Sequence, residues 1–361
     1  MATDLSGENY ALNNEELDRR KTVLSSKPVR LSVVLTTKCN LNCIMCTRER
    51  DGKELEKRSL NKIKGLLPYI KTLGWQGGEV FYHKDFKDVF NDISGNFTNV
   101  RQEIITNGLL IDKNWAEAIA RANVSLAVSI DSAEKDVYEH IRKGAAFGDL
   151  ISSLEELMSA EKKYNRGALR HMNVVVMRSN HKSLPDLLRF AHKYSFKGLH
   201  VTPVYGQRGG ENIFTDTDKK AVTYLAKEMA ALKEQAAAYG ISLSDQVSAT
   251  CGRLLGDNAA ERGGQKAAGD SPEPEGWPDN GLFCAHPWRE LVIHAAKDGG
   301  IFPDCACLVP VGNINSDELL DAWNGEKMQQ YRKRMSGREV NGWCNKDCVD
   351  GMINPLSNYN Y

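Results

Sequence analysis

The chain's 361 residues suffice for one large domain and a smaller one, and a 41% hydrophobic content can fill a sizeable core. Its 47 basic and 47 acidic residues cancel, so no net field draws it to nucleic acid. No run approaches the ~18 uninterrupted apolar residues of a membrane span. The polar stretch 1–30 lacks a signal peptide's apolar centre, which points to the cytoplasm.

Residues 1–30 read as an N-terminal extension. From 31 to 204, short apolar runs alternate with longer amphipathic stretches. Strands are expected at Leu31–Thr36, Trp75–Phe81, Val100–Thr106, Val124–Ile130, Met172–Met177 and Leu199–Val204. Helices are expected at Leu60–Leu73, Asn114–Ala122, Ile151–Lys163 and Ser183–Tyr194. Such alternation predicts an α/β fold with a parallel sheet and crossover helices. Six units make a partial (β/α)6 barrel, whose chemistry belongs at the C-terminal ends of its strands. An Ala-, Lys- and Glu-rich helix, Asp218–Ala238, covers the sheet and completes a domain over 31–250. Residues 251–281, rich in Gly, Pro and charge from 256 onward, read as a linker. A short module rich in Cys, Gly and Trp follows at 282–350, and 351–361 read as a tail.

Nine cysteines need a reason in a compartment that disfavours disulfides. Three fall within Cys39–Cys46, the next is Cys251, and five lie between Cys284 and Cys348. That clustering suggests two metal sites. The run Thr36-Thr-Lys-Cys39-Asn-Leu-Asn-Cys43-Ile-Met-Cys46 directly follows the first strand, so it lies in a loop at that strand's C-terminal end. Thiolates are soft ligands suited to iron–sulfur clusters, and three of them leave one iron of a cubane open for another ligand. A structural zinc would want a fourth protein ligand close by.

In this spacing the chain resembles the radical S-adenosylmethionine superfamily, whose signature is C-x3-C-x2-C after the first strand of a partial barrel. The resemblance implies that Cys39, Cys43 and Cys46 hold a 4Fe–4S cluster. It also implies that Gly77-Gly78-Glu79 is the family's GGE motif, which binds the amino group of the methionine moiety; Val80 stands where the family often has proline. Strand-end polar residues in similar enzymes hold the cofactor's ribose and carboxylate, which points to Asn107, Ser129, Asp131 and Arg142. The plainer readings are a turn at Asn107, a helix cap at Asp131 and a solvated arginine. The implied chemistry begins with one electron from the reduced cluster, supplied by a flavodoxin- or ferredoxin-type donor. It cleaves the sulfonium, and the resulting 5′-deoxyadenosyl radical removes hydrogen from an unactivated C–H bond.

Cys284-Ala-His-Pro-Trp288, the segment Asp298 to Cys307, and Cys344-Asn-Lys-Asp-Cys348 resemble the SPASM and twitch extensions of the same superfamily. These hold auxiliary iron–sulfur clusters. The cysteine count suits one such cluster, most simply on Cys284, Cys305, Cys344 and Cys348, with Cys307 an alternative to Cys305. A zinc held by four cysteines is the plainer reading. Cys251 and Cys307 then become candidate thiol donors of a hydrogen atom, although a lone cysteine is more often a small buried hydrophobe. The resulting expectation is a radical oxidoreductase with two 4Fe–4S clusters, dehydrogenating a sugar- or aminocyclitol-like molecule. The alternatives are an epimerase or peptide maturase, and a non-catalytic iron–sulfur or zinc-binding module.

Overall fold

The computed structural model describes residues 4–167, 170–206, 209–215, 218–256, 283–337, 339 and 342–345. These fall into two compact units. One is drawn from Met1–Leu35, Lys53–Gly74 and Gly263–Tyr361, the other from Thr36–Gly52 and Trp75–Arg262. Strands β1 (Arg30–Thr36) and β2 (Thr72–Gly77) each carry the chain from the first unit into the second.

The second unit is the expected α/β arrangement. Strands β3 (Arg101–Thr106), β4 (Val124–Ser129), β5 (Arg170–Val176), β6 (Gly198–Pro203) and β7 (Ser242–Asp245) pair side by side, all parallel. Burial alternates along β4 and β5, so Leu126, Val128, Met172 and Val174 enter the core. The opposite face carries Ser129, Asn173, His200 and Ser244 as one register-matched row. Helices α4 (Lys113–Arg121), α6 (Phe147–Tyr164), α7 (Leu184–Lys193) and α8 (Lys219–Ala238) lie close to their expected spans. Helices α3 (Phe86–Asn96), α5 (Lys135–Ile141) and α9 (Val247–Leu255) add to them.

Two expectations fail around β2. The helix expected over Leu60–Leu73 is only α2, Lys57–Lys62, followed by a 3₁₀ turn at Ile63–Gly65. Gly65 and Pro68 are poor interior helix residues, and the buried Leu66, Leu67 and Ile70 fill core from irregular chain. Strand β2 starts at Thr72 and ends at Gly77, not Phe81. Gly77 has φ 141°, and Val80–Tyr82 turn into a 3₁₀ helix.

The first unit contains the N-terminal stretch. Helix α1 (Leu5–Asp18) buries Asn9, Asn13, Glu16 and Leu17. Asn13 Nδ2 donates to the Trp288 carbonyl at 2.6 Å, and Glu16 accepts the Ser25 and Ser26 amides at 2.8 and 3.0 Å. The indole of Trp323 donates to the Ser26 carbonyl, and the buried Arg332 donates to the carbonyls of Thr22, Pro287 and Trp323. Strand β1 pairs in parallel with β8 (Glu290–His294), which continues antiparallel through β9 (Gly300–Phe302) to β10 (Gly312–Asn313). Helices α10 (His286–Arg289), α11 (Leu319–Asn324) and α12 (Glu326–Ser336) complete it. Among the described residues no helix is long and apolar enough to cross a membrane.

Candidate functional site

The loop that follows β1 is pinned at several points, which gives its cysteines fixed positions. Ile44 and Met45 pack against the buried cluster Ile141, Met177 and Val204. The Asn42 amide donates to the Lys143 carbonyl at 2.8 Å and the Ile44 amide to the Ile141 carbonyl at 3.0 Å. Gly78 is needed because a Cβ there would lie 2.1 Å from the Lys38 carbonyl oxygen. The backbone of the Gly77-Gly78-Glu79 turn thus lies directly on the cysteine loop, with the Gly78 amide donating to Thr36 at 2.7 Å and Glu79 to Lys38 at 2.9 Å. Beneath the turn, Trp75, Phe81, Phe86, Phe90 and Trp115 form an edge-to-face aromatic cluster.

Cys39 and Cys43 are half-buried and Cys46 is exposed. The Cys39 sulfur accepts from the Leu41 amide at 3.4 Å and from Asn107 Nδ2 at 3.9 Å. The Cys43 sulfur accepts from Arg142 Nη1 at 3.8 Å. Burial pushes both thiol pKa values up; the Leu41 amide and Arg48 oppose this at Cys39, and Arg142 opposes it at Cys43. Cys39 and Cys43, each with N–H donors already at its sulfur, suit a cluster of thiolates, whose negative charge those donors stabilise. Among the described residues, only His286, Glu290 and Asp304 bring three ligand atoms within 4.8 Å of one another.

Glu79 is fully buried, and its carboxylate accepts from Thr106 Oγ1 and the Asn107 amide at 2.8 Å each, and from the Phe81 amide at 3.3 Å. Burial raises its pKa against these three donors and Arg142. Asp131, also fully buried, pairs with Arg142 at 2.7 Å and accepts the Val175 amide at 2.9 Å. Its own carbonyl takes Asn180 Nδ2 at 2.8 Å, so Asn180 fixes the segment after β4. Glu79, Asn107, Asp131 and Arg142 thus converge on the cysteine loop. Ser129 ends β4 level with Asn173. Asn180, Ile44 and Met45 are not singled out by sequence. Only the apolar pair between Cys43 and Cys46 in a polar loop signals them there. Beside Cys39 lies a cavity of about 550 Å³ whose lining includes Lys38, Arg48, Arg50 and Lys143.

In the first unit, Cys307 and Cys344 face each other in an antiparallel bridge. Cys284 and Cys307 are buried, Cys344 is half-buried and Cys305 is exposed. Burial pushes the Cys307 thiol strongly up, with Asp304 and Cys344 adding to it, while Lys297 Nζ donates to the Cys307 carbonyl at 3.1 Å. Cys348, the fourth expected ligand, lies outside the described residues. Cys251 is fully buried in α9, which packs on α8, and burial lifts its pKa to about 11. Those are the surroundings of a small core side chain.

A model of the Radical SAM superfamily matches residues 33–191, and one of an iron–sulfur cluster-binding domain, SPASM, matches 284–349. The chain is 26% identical over 207 residues to the mycofactocin maturase MftC of Mycobacterium ulcerans, covering 55% of this chain and 53% of that one. It is 28% identical over 170 residues to a probable GTP 3′,8-cyclase of Methanocaldococcus jannaschii, covering 44% of this chain and 54% of that one. The chain thus spans about half the length of these two curated relatives. An AdoMet-dependent heme synthase of Methanosarcina barkeri is 24% identical over 89% of this chain and 88% of its own. The fold matches Streptococcus suis SuiB bound to its precursor peptide SuiA, with a TM-score of 0.62 at 15% identity over 96% of this chain and 74% of that one. It also matches anSMEcpe with bound AdoMet, with a TM-score of 0.58 at 18% identity over 85% and 84%.

Proposed function

The chain belongs to the radical S-adenosylmethionine superfamily and carries a C-terminal iron–sulfur module of the SPASM type, and from that premise we propose that it is a maturase acting on a peptide. It is a radical SAM enzyme whose cofactors are 4Fe–4S clusters and S-adenosylmethionine. The observation that carries the finer reading is the similarity to a maturase over more than half the chain. The fold shared with a protein solved on its precursor peptide is in keeping with it. The preference for a sugar- or aminocyclitol-like substrate gives way on this ground. A small-molecule substrate keeps a place as the second reading because the heme synthase relative aligns along 89% of the chain.

When bound, cluster and S-adenosylmethionine supply a one-electron cleavage whose radical product takes a hydrogen atom from an unactivated C–H bond. In the proposed site, Cys39, Cys43 and Cys46 hold the cluster. The Gly77-Gly78 turn keeps the loop in register, and Ser129 contributes a polar group at the strand ends. The cationic lining beside Cys39 suits an acidic flavodoxin- or ferredoxin-type electron donor. In the C-terminal module Cys284, Cys307, Cys344 and Cys348 would hold the auxiliary cluster, with Cys305 outside it. Neither Cys251 nor Cys307 would then deliver a hydrogen atom.

The test is to supply anaerobically loaded enzyme with peptides encoded beside its gene, in deuterated water. The expected product is a peptide two mass units lighter, formed equally by Cys251→Ala. Solvent deuterium at the reacting carbon, lost together with activity in Cys251→Ala, would show epimerisation through a thiol donor. Turnover of a small molecule with every peptide untouched would replace the maturase reading by the second one.

A further inference from the structure

Two buried carboxylates hold nitrogen donors against two of the loop sulfurs, by parallel constructions on different strands. After β2, the Glu79 carboxylate fixes the Asn107 backbone at 2.8 Å, and Asn107 Nδ2 reaches Asn40 Oδ1 at 2.8 Å and the Cys39 sulfur at 3.9 Å. After β4, the Asp131 carboxylate fixes the Arg142 guanidinium at 2.7 Å, and Arg142 Nη1 reaches the Cys43 sulfur at 3.8 Å. Glu79 and Asp131 are both wholly buried, and the Arg142 side chain is 8% exposed. Such placement is costly for charged groups unless each is paired, so these carboxylates hold their donors tightly. Close by on α5, the buried hydroxyl of Tyr138 has no hydrogen-bond partner among the described residues and lies within electrostatic reach of Cys43, Arg142 and Asp131.

We propose that Asn107 and Arg142 set the reduction potential of the cluster held by Cys39, Cys43 and Cys46, with Glu79 and Asp131 as the residues that hold them on the sulfurs. This rests on the reading of those three cysteines as ligands. The physical reason is charge. A cluster that accepts one electron becomes more negative, and an N–H donor or a guanidinium at a ligand sulfur stabilises that form most. Both donors therefore raise the potential and make reduction easier for a physiological donor. Asn107 does so as a neutral dipole and Arg142 as a full charge in a poorly solvated place. Asp131 partly offsets that charge, so its second function is geometric, keeping the fork turned to Cys43.

The experiment is a redox titration of the full chain with both clusters loaded and S-adenosylmethionine absent, read by electron paramagnetic resonance. The relevant signal is the one lost when Cys39, Cys43 and Cys46 are all changed to alanine. Asn107→Ala and Arg142→Gln should each keep full iron content yet titrate at lower potential. At a fixed poise their reduced-to-oxidised ratio should fall about tenfold, which for one electron is about 59 mV. Arg142→Lys, which retains charge but not the fork, should fall between wild type and Arg142→Gln, and serves if the glutamine variant does not fold. Midpoints equal to wild type in Asn107→Ala and in either Arg142 variant, with iron retained, overturn the proposal. So does an unchanged midpoint accompanied by weakened cofactor binding, which would make both residues cofactor contacts alone. A triple cysteine variant that loses no signal shows instead that the ligands are misassigned and removes the reading underneath.

Discussion

A carboxylate gives up its water only where hydrogen bonds or an opposite charge replace it. Glu79 does so with three donors and Asp131 with one amide and Arg142. The cysteines of the C-terminal module differ by the same logic. Cys305 is exposed, whereas Cys307 is buried against Cys344. A thiol whose pKa burial has driven far up stays protonated unless a metal displaces its proton. Cys307→Ala should therefore lower iron from about eight to about four atoms per chain, and Cys305→Ala should leave it near eight. Iron and sulfide analysis of anaerobic protein reads this directly, and the opposite pattern would return the ligand role to Cys305.

At the scale of elements, the end of β2 and helix α1 show how little slack the chain has. Gly78→Ala places a methyl group 2.1 Å from the Lys38 carbonyl, an approach that backbone must yield to. The variant should lose about 1–3 kcal/mol of stability to overpacking. It should also lose iron from the first cluster in preference to the second, because the displaced segment is the cysteine loop. Normal iron at both sites would show that the loop tolerates the shift. In α1, burial pushes the Glu16 pKa up, but the Ser25 and Ser26 amides, the Ser26 hydroxyl and Lys21 outweigh it and hold the carboxyl below its ordinary 4.5. A carboxyl whose pKa is lower folded than unfolded adds stability that is complete above the unfolded value and is lost as pH falls through the folded one. Denaturant titrations should thus show stability falling below about pH 4.5, with a shallower fall in Glu16→Gln. Parallel pH profiles for the two proteins would exclude Glu16 as the source.

For the whole molecule, the cysteine loop lies in one compact unit and the Cys307–Cys344 bridge in the other. Each cluster should therefore be built and lost independently. Anaerobically reconstituted chain should carry about eight irons, and the triple change of Cys39, Cys43 and Cys46 to alanine should leave about four with Mössbauer parameters of one remaining cubane. Stoichiometric zinc beside a single cluster would assign the C-terminal cysteines to a structural ion instead.

Local spacing carried the grouping of Cys39, Cys43 and Cys46 and the alternation of strands and helices, because each depends on residues a few positions apart, while Gly77-Gly78-Glu79 was picked out only by resemblance to a family motif. The superfamily was legible from the resemblance of those motifs, and the C-terminal module from that of the late cysteines, Cys284 to Cys348. Tertiary structure decided the rest, for identifiable reasons. Helix α1 hides from pattern reading because the face it buries is largely polar: Asn9 and Asn13 are satisfied by the distant carbonyls of Tyr69 and Trp288, and Glu16 by the amides of Ser25 and Ser26. The segment after α2 is apolar in the way a helix would be, but Gly65 and Pro68 break it, and its Leu66, Leu67 and Ile70 are buried from irregular chain. The placement of Arg142 on the Cys43 sulfur joins residues 99 positions apart, and Cys307 is distinguished from Cys305 by a bridge to Cys344. Spacing along a chain reveals which residues can share a ligand, whereas burial and cross-strand pairing decide which of them face it.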